Sequence, residues 1–519
     1  MQLKFSNGLL AGLLAMISLN LHAQTQTLEN VLTATSRGTG PIISEGVNGY
    51  YSLTELNKKT KGKSDFQLSV FDQNLSPLSS KKFVMTTGTI AQEAAFNGEH
   101  LLFKFQNQKE KKYSYKMFDK NAKIVRSVSK PSYFMDYVAG ADNTEATENL
   151  HLYPLPGKGF VNYSTKNQKG KMSKTRYVID FFPSDSIATA WQANTPTTSD
   201  FFEYADYLGI SGNTLLSLVI KRGGLFDKDL EEHILGTDLN TGKKLFEYKL
   251  EDPKHTVSTL NMVADETGNN FTIIGLYYEK DAKSFKDKSL GLFAFTLDAN
   301  GKVSNRKYVS WAKGVAKFLP MTDKGKVKDV GFIFFHRFLK TSDGNYFGIG
   351  EEYHREASGL GIAGAVLSGG RGGTSVLKAV TGDLYVFEFD KDFDLKAVTA
   401  YDKAKSNVSL PPGASTLSVR TIGLYLKSYG GFDYLFTQLS RDKTEFSSGY
   451  LDYERTKGNK GWKFGSVNYS EGKLSSDKLA LSSEATWFKV YPGKPGYVMV
   501  TEYFRKKKLM EFRMEKLNF

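Results

Sequence analysis

The sequence predicts an all-β chain folded as a β-propeller of about eight four-stranded blades, with seven as the alternative count, closed by an N-terminal strand. Three observations lead there. A strand–turn–strand unit recurs along the chain. The strands are apolar on both faces. The composition, with 28 Tyr, 37 Phe, 48 Gly and only 13 Pro in 519 residues, suits β-structure.

The recurring unit opens with a glycine turn. The openings are Asn48-Gly49, Asn97-Gly98, Lys158-Gly159, Gly212-Asn213, Gly268-Asn269, Asp343-Gly344, Gly430-Gly431 and Pro495-Gly496. Their mean spacing is about 64 residues, within reach of propeller and solenoid repeats. An apolar strand follows each opening, then a Lys-rich turn, then a second strand that closes on Asp. Those closures are Asp72, Asp119, Asp238, Asp298, Asp390 and Asp452. Asp and Asn side chains accept local backbone N–H bonds in such turns, and Gly supplies positive φ. Phe271–Leu276 and Val330–Phe335 are apolar throughout. A blade flanked by two others buries both faces, which erases strict alternation. An outer-membrane barrel ranks second. Its terminal strand should alternate up to a final aromatic; Leu517 and Phe519 fit this, but Arg513 and Glu515 do not. The last unit lacks an outer strand, and Thr27–Arg37 is positioned to supply it, removing the open edge of the ring.

Met1–Ala23 reads as a signal peptide. Lys4 provides the positive region, Leu9–Leu21 the apolar stretch, and Leu21-His22-Ala23 the cleavage site. The apolar stretch is too short for a span, and no later segment approaches one. Residues 24–519 are therefore expected as one exported propeller, either secreted, periplasmic or at the cell surface. The absence of cysteine excludes disulfides, thiolate metal sites and a thiol nucleophile. The signal peptide, the repeated Gly-strand-Lys-turn-strand-Asp units and the lack of any anchor resemble secreted propeller-like proteins of unknown function from Gram-negative bacteria. That resemblance spans the whole mature chain and brings no catalytic residue set with it.

Charge gives the strongest hint about partners. Lys and Arg total 69 against 55 Asp and Glu, a net +14. In a four-stranded blade, turns between the second and third strands share one face of the ring. These are the basic turns, with Lys59, Lys112 and Lys506, Lys507 and Lys508 as candidate ligand contacts. Such a rim attracts an anionic glycan or a cell-envelope protein. The competing reading is solvated turns that block edge pairing. Nucleic acid fits poorly, because the aromatics sit at core-like strand positions rather than on stacking platforms.

Catalytic signals are sparse. Glu351-Glu352-Tyr353-His354 places Glu352 and His354 on one strand face and Glu351 on the other, a weak acid–base candidate. Glu55 and Glu502 hold comparable positions, which favours a structural role. Asp390, Asp392 and Asp394 alternate as in a calcium loop, but Leu395 replaces the sixth-position Gly and Tyr401 the twelfth-position Glu. Calcium is therefore the one cofactor considered, and none is the expectation. Gly369–Ser375 lacks the Lys and the strand–loop–helix context of a phosphate loop. Ala357–Gly382 is a glycine-rich insertion between two strands of one blade, expected to project from the basic face. The function expected is a non-catalytic binding or scaffold propeller. The alternative is an extracellular glycan hydrolase or lyase with its active site at the axis.

Overall fold

A computed structural model describes residues 24–517 except 44–45, 61, 108, 132–151, 169–170, 186–188, 196–200, 224–229, 265–269, 285, 299, 329–330, 358–376, 412–413 and 457–458. The expected signal peptide and most of the 357–382 insertion lie outside the described residues.

The described strands form eight antiparallel sheets, seven of them ordered from the ring axis outwards in chain order and the eighth completed by the N-terminal strand. Blade 1 comprises Val31–Ile43, Val47–Thr60, Lys63–Asp72 and Pro77–Thr86; blade 2 comprises Thr89–Phe96, Leu101–Asn107, Lys112–Phe118 and Ile124–Pro131. Blade 3 comprises Leu152–Leu155, Gly159–Gln168, Lys171–Pro183 and Trp191–Asn194; blade 4 comprises Phe202–Ser211, Thr214–Arg222, Glu231–Asp238 and Lys244–Lys249. Blade 5 comprises Thr256–Ala264, Asn270–Tyr278, Gly291–Asp298 and Val303–Ser310. Blade 6 comprises Phe332–Lys340, Tyr346–Ala357, Leu377–Phe389 and Leu395–Tyr401, with Ser406–Ser409 also pairing its third strand. Blade 7 comprises Tyr434–Leu439, Phe446–Thr456, Asn459–Ser470 and Lys473–Leu481. Blade 8 comprises Trp487–Pro492, Tyr497–Phe504 and Leu509–Lys516, and Thr25–Leu28 is its outer strand.

The closing strand is shorter than the segment expected. Thr25–Leu28 pairs with Met510–Arg513, whereas Val31–Arg37 already belongs to the innermost strand of blade 1. Asn30, at φ 59°, turns the chain between the two roles; Asn tolerates that left-handed conformation better than most side chains.

Blades stack through eight apolar cores, each drawn from two neighbours. Tyr50 packs towards blade 8 and Tyr51 towards blade 2. Adjacent strand residues face opposite ways, so both are buried and the hydropathy pattern loses its period of two. The second strand of blade 2 is buried at all seven positions.

Turns between third and fourth strands repeat one device. Asp72, Asp119, Asp298 and Asp390 each accept backbone N–H bonds from the residues two and four further on, at 2.8–3.0 Å. Asp452 is different: it is buried within the second strand of blade 7. The Gly430-Gly431 opening is also displaced, because it ends a helix. Helix α1 (Val419–Ser428) is capped by Ser418, whose Oγ accepts the Thr421 N–H at 3.1 Å. Gly430 has φ 66°, and the Gly431 N–H returns to the Leu426 carbonyl at 2.8 Å.

Alternating strand direction puts the described turns between strands two and three, and the described blade-to-blade connections, on one face. Lys63, Lys109, Lys111, Lys112, Lys280, Lys283, Lys286, Lys288 and Arg505–Lys508 all belong to that face. The opposite face carries the Asp turns, and Lys120, Lys123, Lys243, Lys302 and Lys391 lie there too, so its charge is mixed.

Candidate functional site

The residues singled out from sequence do not converge. Glu352 is buried against the second-to-third-strand ladder of blade 6, where the Tyr385 hydroxyl donates to it at 3.1 Å. Its Oε1 fills the space a Cβ at Gly382 would need. Burial, with Asp383 adding repulsion, pushes its carboxyl above the ordinary value. His354 turns instead to Glu356 at 2.9 Å, and Glu356 pairs with Lys378 at 3.2 Å. The two form no shared acid–base site. Glu502, the comparable position in blade 8, forms an ion pair with Arg513.

Asp390 is saturated by the Asp392 and Asp394 N–H groups and by Lys396 Nζ at 2.7 Å; Asp394 faces Lys307 at 3.7 Å. Among the described residues no group of three His, Asp or Glu side chains is arranged to hold a metal ion. Lys506, Lys507 and Lys508 are exposed in the turn of blade 8. Lys507 Nζ lies 5.0 Å from the Phe504 ring centroid, and the Lys508 carbonyl accepts the Val31 N–H at 2.9 Å, tying blade 8 to blade 1. Lys112 is paired with Glu110 at 2.5 Å. The backbone of Lys59 pairs with Ser64 at the start of its turn.

Among the described residues, a concave feature lies elsewhere. A cavity of about 700 Å³ occupies the axial funnel, walled by the innermost strands of blades 3, 4, 5 and 6. Its mouth is built from the blade 5 turn (Asp287–Ser289), the connection from blade 5 to blade 6 (Trp311, Met321, Lys324) and helix α1 (Val419, Arg420, Leu424, Lys427). All three belong to the basic face. A second cavity of about 440 Å³ lies further down the channel and shares Met262, Arg337 and Phe338 with the first. Five cationic side chains line the upper funnel, Lys288, Lys324, Arg337, Arg420 and Lys427, against the carboxylates of Asp206 and Asp287.

The carboxylates are committed. Asp206 accepts the Tyr153 hydroxyl and the Tyr207 N–H, both at 2.8 Å, and Asp287 accepts the Lys283 N–H at 2.7 Å. Tyr153 and Tyr207 stack with centroids 4.5 Å apart. Arg420 reaches from helix α1 to blades 4 and 5, with the Tyr278 hydroxyl and Ser284 carbonyl at 3.4 Å and Glu232 at 4.0 Å. Glu232 is itself anchored by the Ser258 hydroxyl and the Thr259 N–H. The funnel thus combines a ring-rich wall with an excess of positive charge, the chemistry that holds an anion with an apolar or ring-shaped body.

Residues 5–518 match the model of a family of unknown function, DUF6770. The chain belongs to that family. No curated protein matches the DUF6770 chain. Among solved structures, it is similar to the WD40 domain of SCAP from fission yeast, with 8% identity, 94% of each chain covered and a TM-score of 0.34. It is also similar to prolyl oligopeptidase B from Galerina marginata, with 8% identity and a TM-score of 0.38, covering 92% of this chain and 55% of that one. A post-proline cleaving enzyme from Rickettsia typhi gives 9% identity and a TM-score of 0.37, covering 90% and 58%. The chain therefore spans little more than half the length of either peptidase.

Sequence reasoning missed the funnel of the DUF6770 chain because its lining is assembled from four blades. One signal was available. Ser418, the buried pair Ile422 and Leu426 at a spacing of four, and the following Gly430 together mark a capped helix within an otherwise all-β repeat.

Proposed function

We propose that the protein is an exported, non-catalytic binding propeller that takes an anionic ligand through its basic face into the axial funnel. One observation carries this reading: five cationic side chains, of which Arg420 faces Glu232 at 4.0 Å, against the two carboxylates of Asp206 and Asp287 in an aromatic-walled cavity of about 700 Å³. Low-dielectric walls focus the field of such a cluster, and tyrosine and tryptophan rings offer flat contact to a sugar or a peptide side chain. An acidic glycan segment satisfies both requirements. Export follows from the reading of Met1–Ala23 as a leader. The alternative, a glycan hydrolase or lyase working at the axis, gains nothing from Glu352 and His354, which face other partners outside the funnel.

The test is binding of a short uronic-acid oligosaccharide by calorimetry at physiological salt, alongside retention on heparin resin. Replacing Lys288, Lys324 and Lys427 with Ser removes three charges at the mouth. At about 0.5 kcal/mol per partly screened charge, affinity falls about tenfold. Replacing Lys506, Lys507 and Lys508 with Ser lowers heparin retention and its salt dependence while leaving oligosaccharide affinity within about twofold. No binding by the native protein, or binding indifferent to the mouth substitutions, would remove the proposal.

A further inference from the structure

Between blades 6 and 7 lies a group of charges that the funnel does not use. Lys403 follows the fourth strand of blade 6, and Asp433 stands directly before the first strand of blade 7. Lys403 Nζ is 2.6 Å from Asp433 Oδ2 and 3.1 Å from Glu351 Oε1. The side chains of Lys403 and Glu351 are 0% exposed, and that of Asp433 is 17% exposed. Glu351 is held in place by the backbone N–H groups of Asp433 and Tyr434 at 3.1–3.2 Å, and by His336 Nε2 at 3.4 Å. The Ser406 hydroxyl donates to Asp433 Oδ1 at 3.1 Å. Two carboxyl groups are thus fixed within hydrogen-bond reach of one amine and largely shielded from water.

We propose that Lys403 and Asp433 become joined by an intramolecular amide bond, with Glu351 relaying the proton. The proton of the Lys403 ammonium passes along the hydrogen bond to Asp433, leaving a neutral amine and a neutral acid. The Nζ lone pair then attacks Cγ. Oδ1, held by Ser406, carries the negative charge of the tetrahedral intermediate. Glu351 takes a proton from Nζ and returns it to the departing Oδ2 hydroxyl, which leaves as water. Oδ1 becomes the amide carbonyl. One amine and one acid yield one amide and one water, and Glu351 ends as it began. No oxidant or cofactor enters.

Two physical terms favour the step. Held groups react with effective concentrations far above those of free partners, and an amide replaces two buried charges that are costly to keep out of water. Burial, reinforced by Glu351, raises the Asp433 carboxyl above its ordinary range, so the neutral acid that amide formation needs is accessible. The two carboxylates outweigh burial and keep Lys403 charged, which is why the first move is a proton passing directly between the partners. The bond would span the connection that carries helix α1, in a chain with no cysteine to staple it.

Intact-mass measurement of the purified full chain, corrected for any leader removal, tests this together with a tryptic map. The expected result is a mass one water below that of the sequence, no cleavage after Lys403, and a branched peptide joining the Lys403 and Asp433 segments. Asp433→Asn should lose one ammonia instead of one water. Glu351→Gln should give the full sequence mass with a native circular dichroism spectrum. Full mass and separate peptides from folded native protein would overturn the bond. A cross-link that persists in Glu351→Gln would overturn the relay.

Discussion

Two blade interfaces solve the same stacking problem differently. Blades 1 and 2 meet through rings and hydrocarbon. Phe103, fully buried, contacts Tyr51 at 5.5 Å and Phe118 at 5.7 Å, both edge-on. Blades 6 and 7 share an apolar core of Leu339, Phe347, Ile349, Tyr434 and Phe446, but add the Glu351–Lys403–Asp433 node. Apolar contact is non-directional and holds two sheets face to face. The node is directional: Glu351 grips two consecutive N–H groups of blade 7 and so sets where that blade begins. The apolar interface presses two sheets together, and the polar node ties together the two ends of the connection that carries helix α1.

The largest expected effect breaks the apolar side of this comparison. Phe103→Ala leaves a cavity between blades 1 and 2 and costs about 3–5 kcal/mol in urea unfolding. A cost below 1 kcal/mol would mean the ring is held elsewhere. A smaller effect sharpens the polar side. His336 stacks on Tyr434 with centroids 4.4 Å apart and planes 6° from parallel. His336→Phe keeps the stack and much of the volume and costs about 1 kcal/mol or less. A larger loss would assign the anchoring of Glu351 to the imidazole rather than to Lys403 and the backbone.

The smallest effect compares the buried node with a surface network. On blade 4, Glu247 is hydrogen-bonded to His233, at 3.3 Å, to Lys221 and to Lys244. The His233 bond, then the two lysines, outweigh partial burial and hold its carboxyl well below the ordinary 4.5. A depressed carboxyl contributes stability above its unfolded value and loses it as pH falls below about 4.5. Glu247→Gln should therefore lower stability by about 0.5–1 kcal/mol at pH 6, after solvent screening, with the difference fading as pH falls through the acid range. Urea midpoints at pH 6 and pH 3 measure this. An equal difference at both pH values would assign the loss to packing.

The ring was legible because its rules are local. Glycine turns, Asp residues that cap their own reversals, and strands apolar on both faces are visible in stretches of ten residues. The displaced opening and the displaced closure have local causes as well: Gly430-Gly431 ends a helix, and Asp452 is a strand residue whose carboxylate takes Lys478 and the Ala404 N–H. The site was not legible, because no stretch contains it. Alternation correctly separated Glu351 from Glu352. That Glu351 meets Asp433, 82 residues away, depends on how two blades stack. Arg420 likewise finds Tyr278 across 142 positions.

The four-residue pairing of Thr25–Leu28 with Met510–Arg513 has a kinetic consequence. It is among the contacts of greatest sequence separation in the molecule, and forming it requires nearly the whole polypeptide to be ordered first. Until then the outer edge of blade 8 stays available to other chains, so the interval before this latch engages is when the protein is most exposed to mispairing.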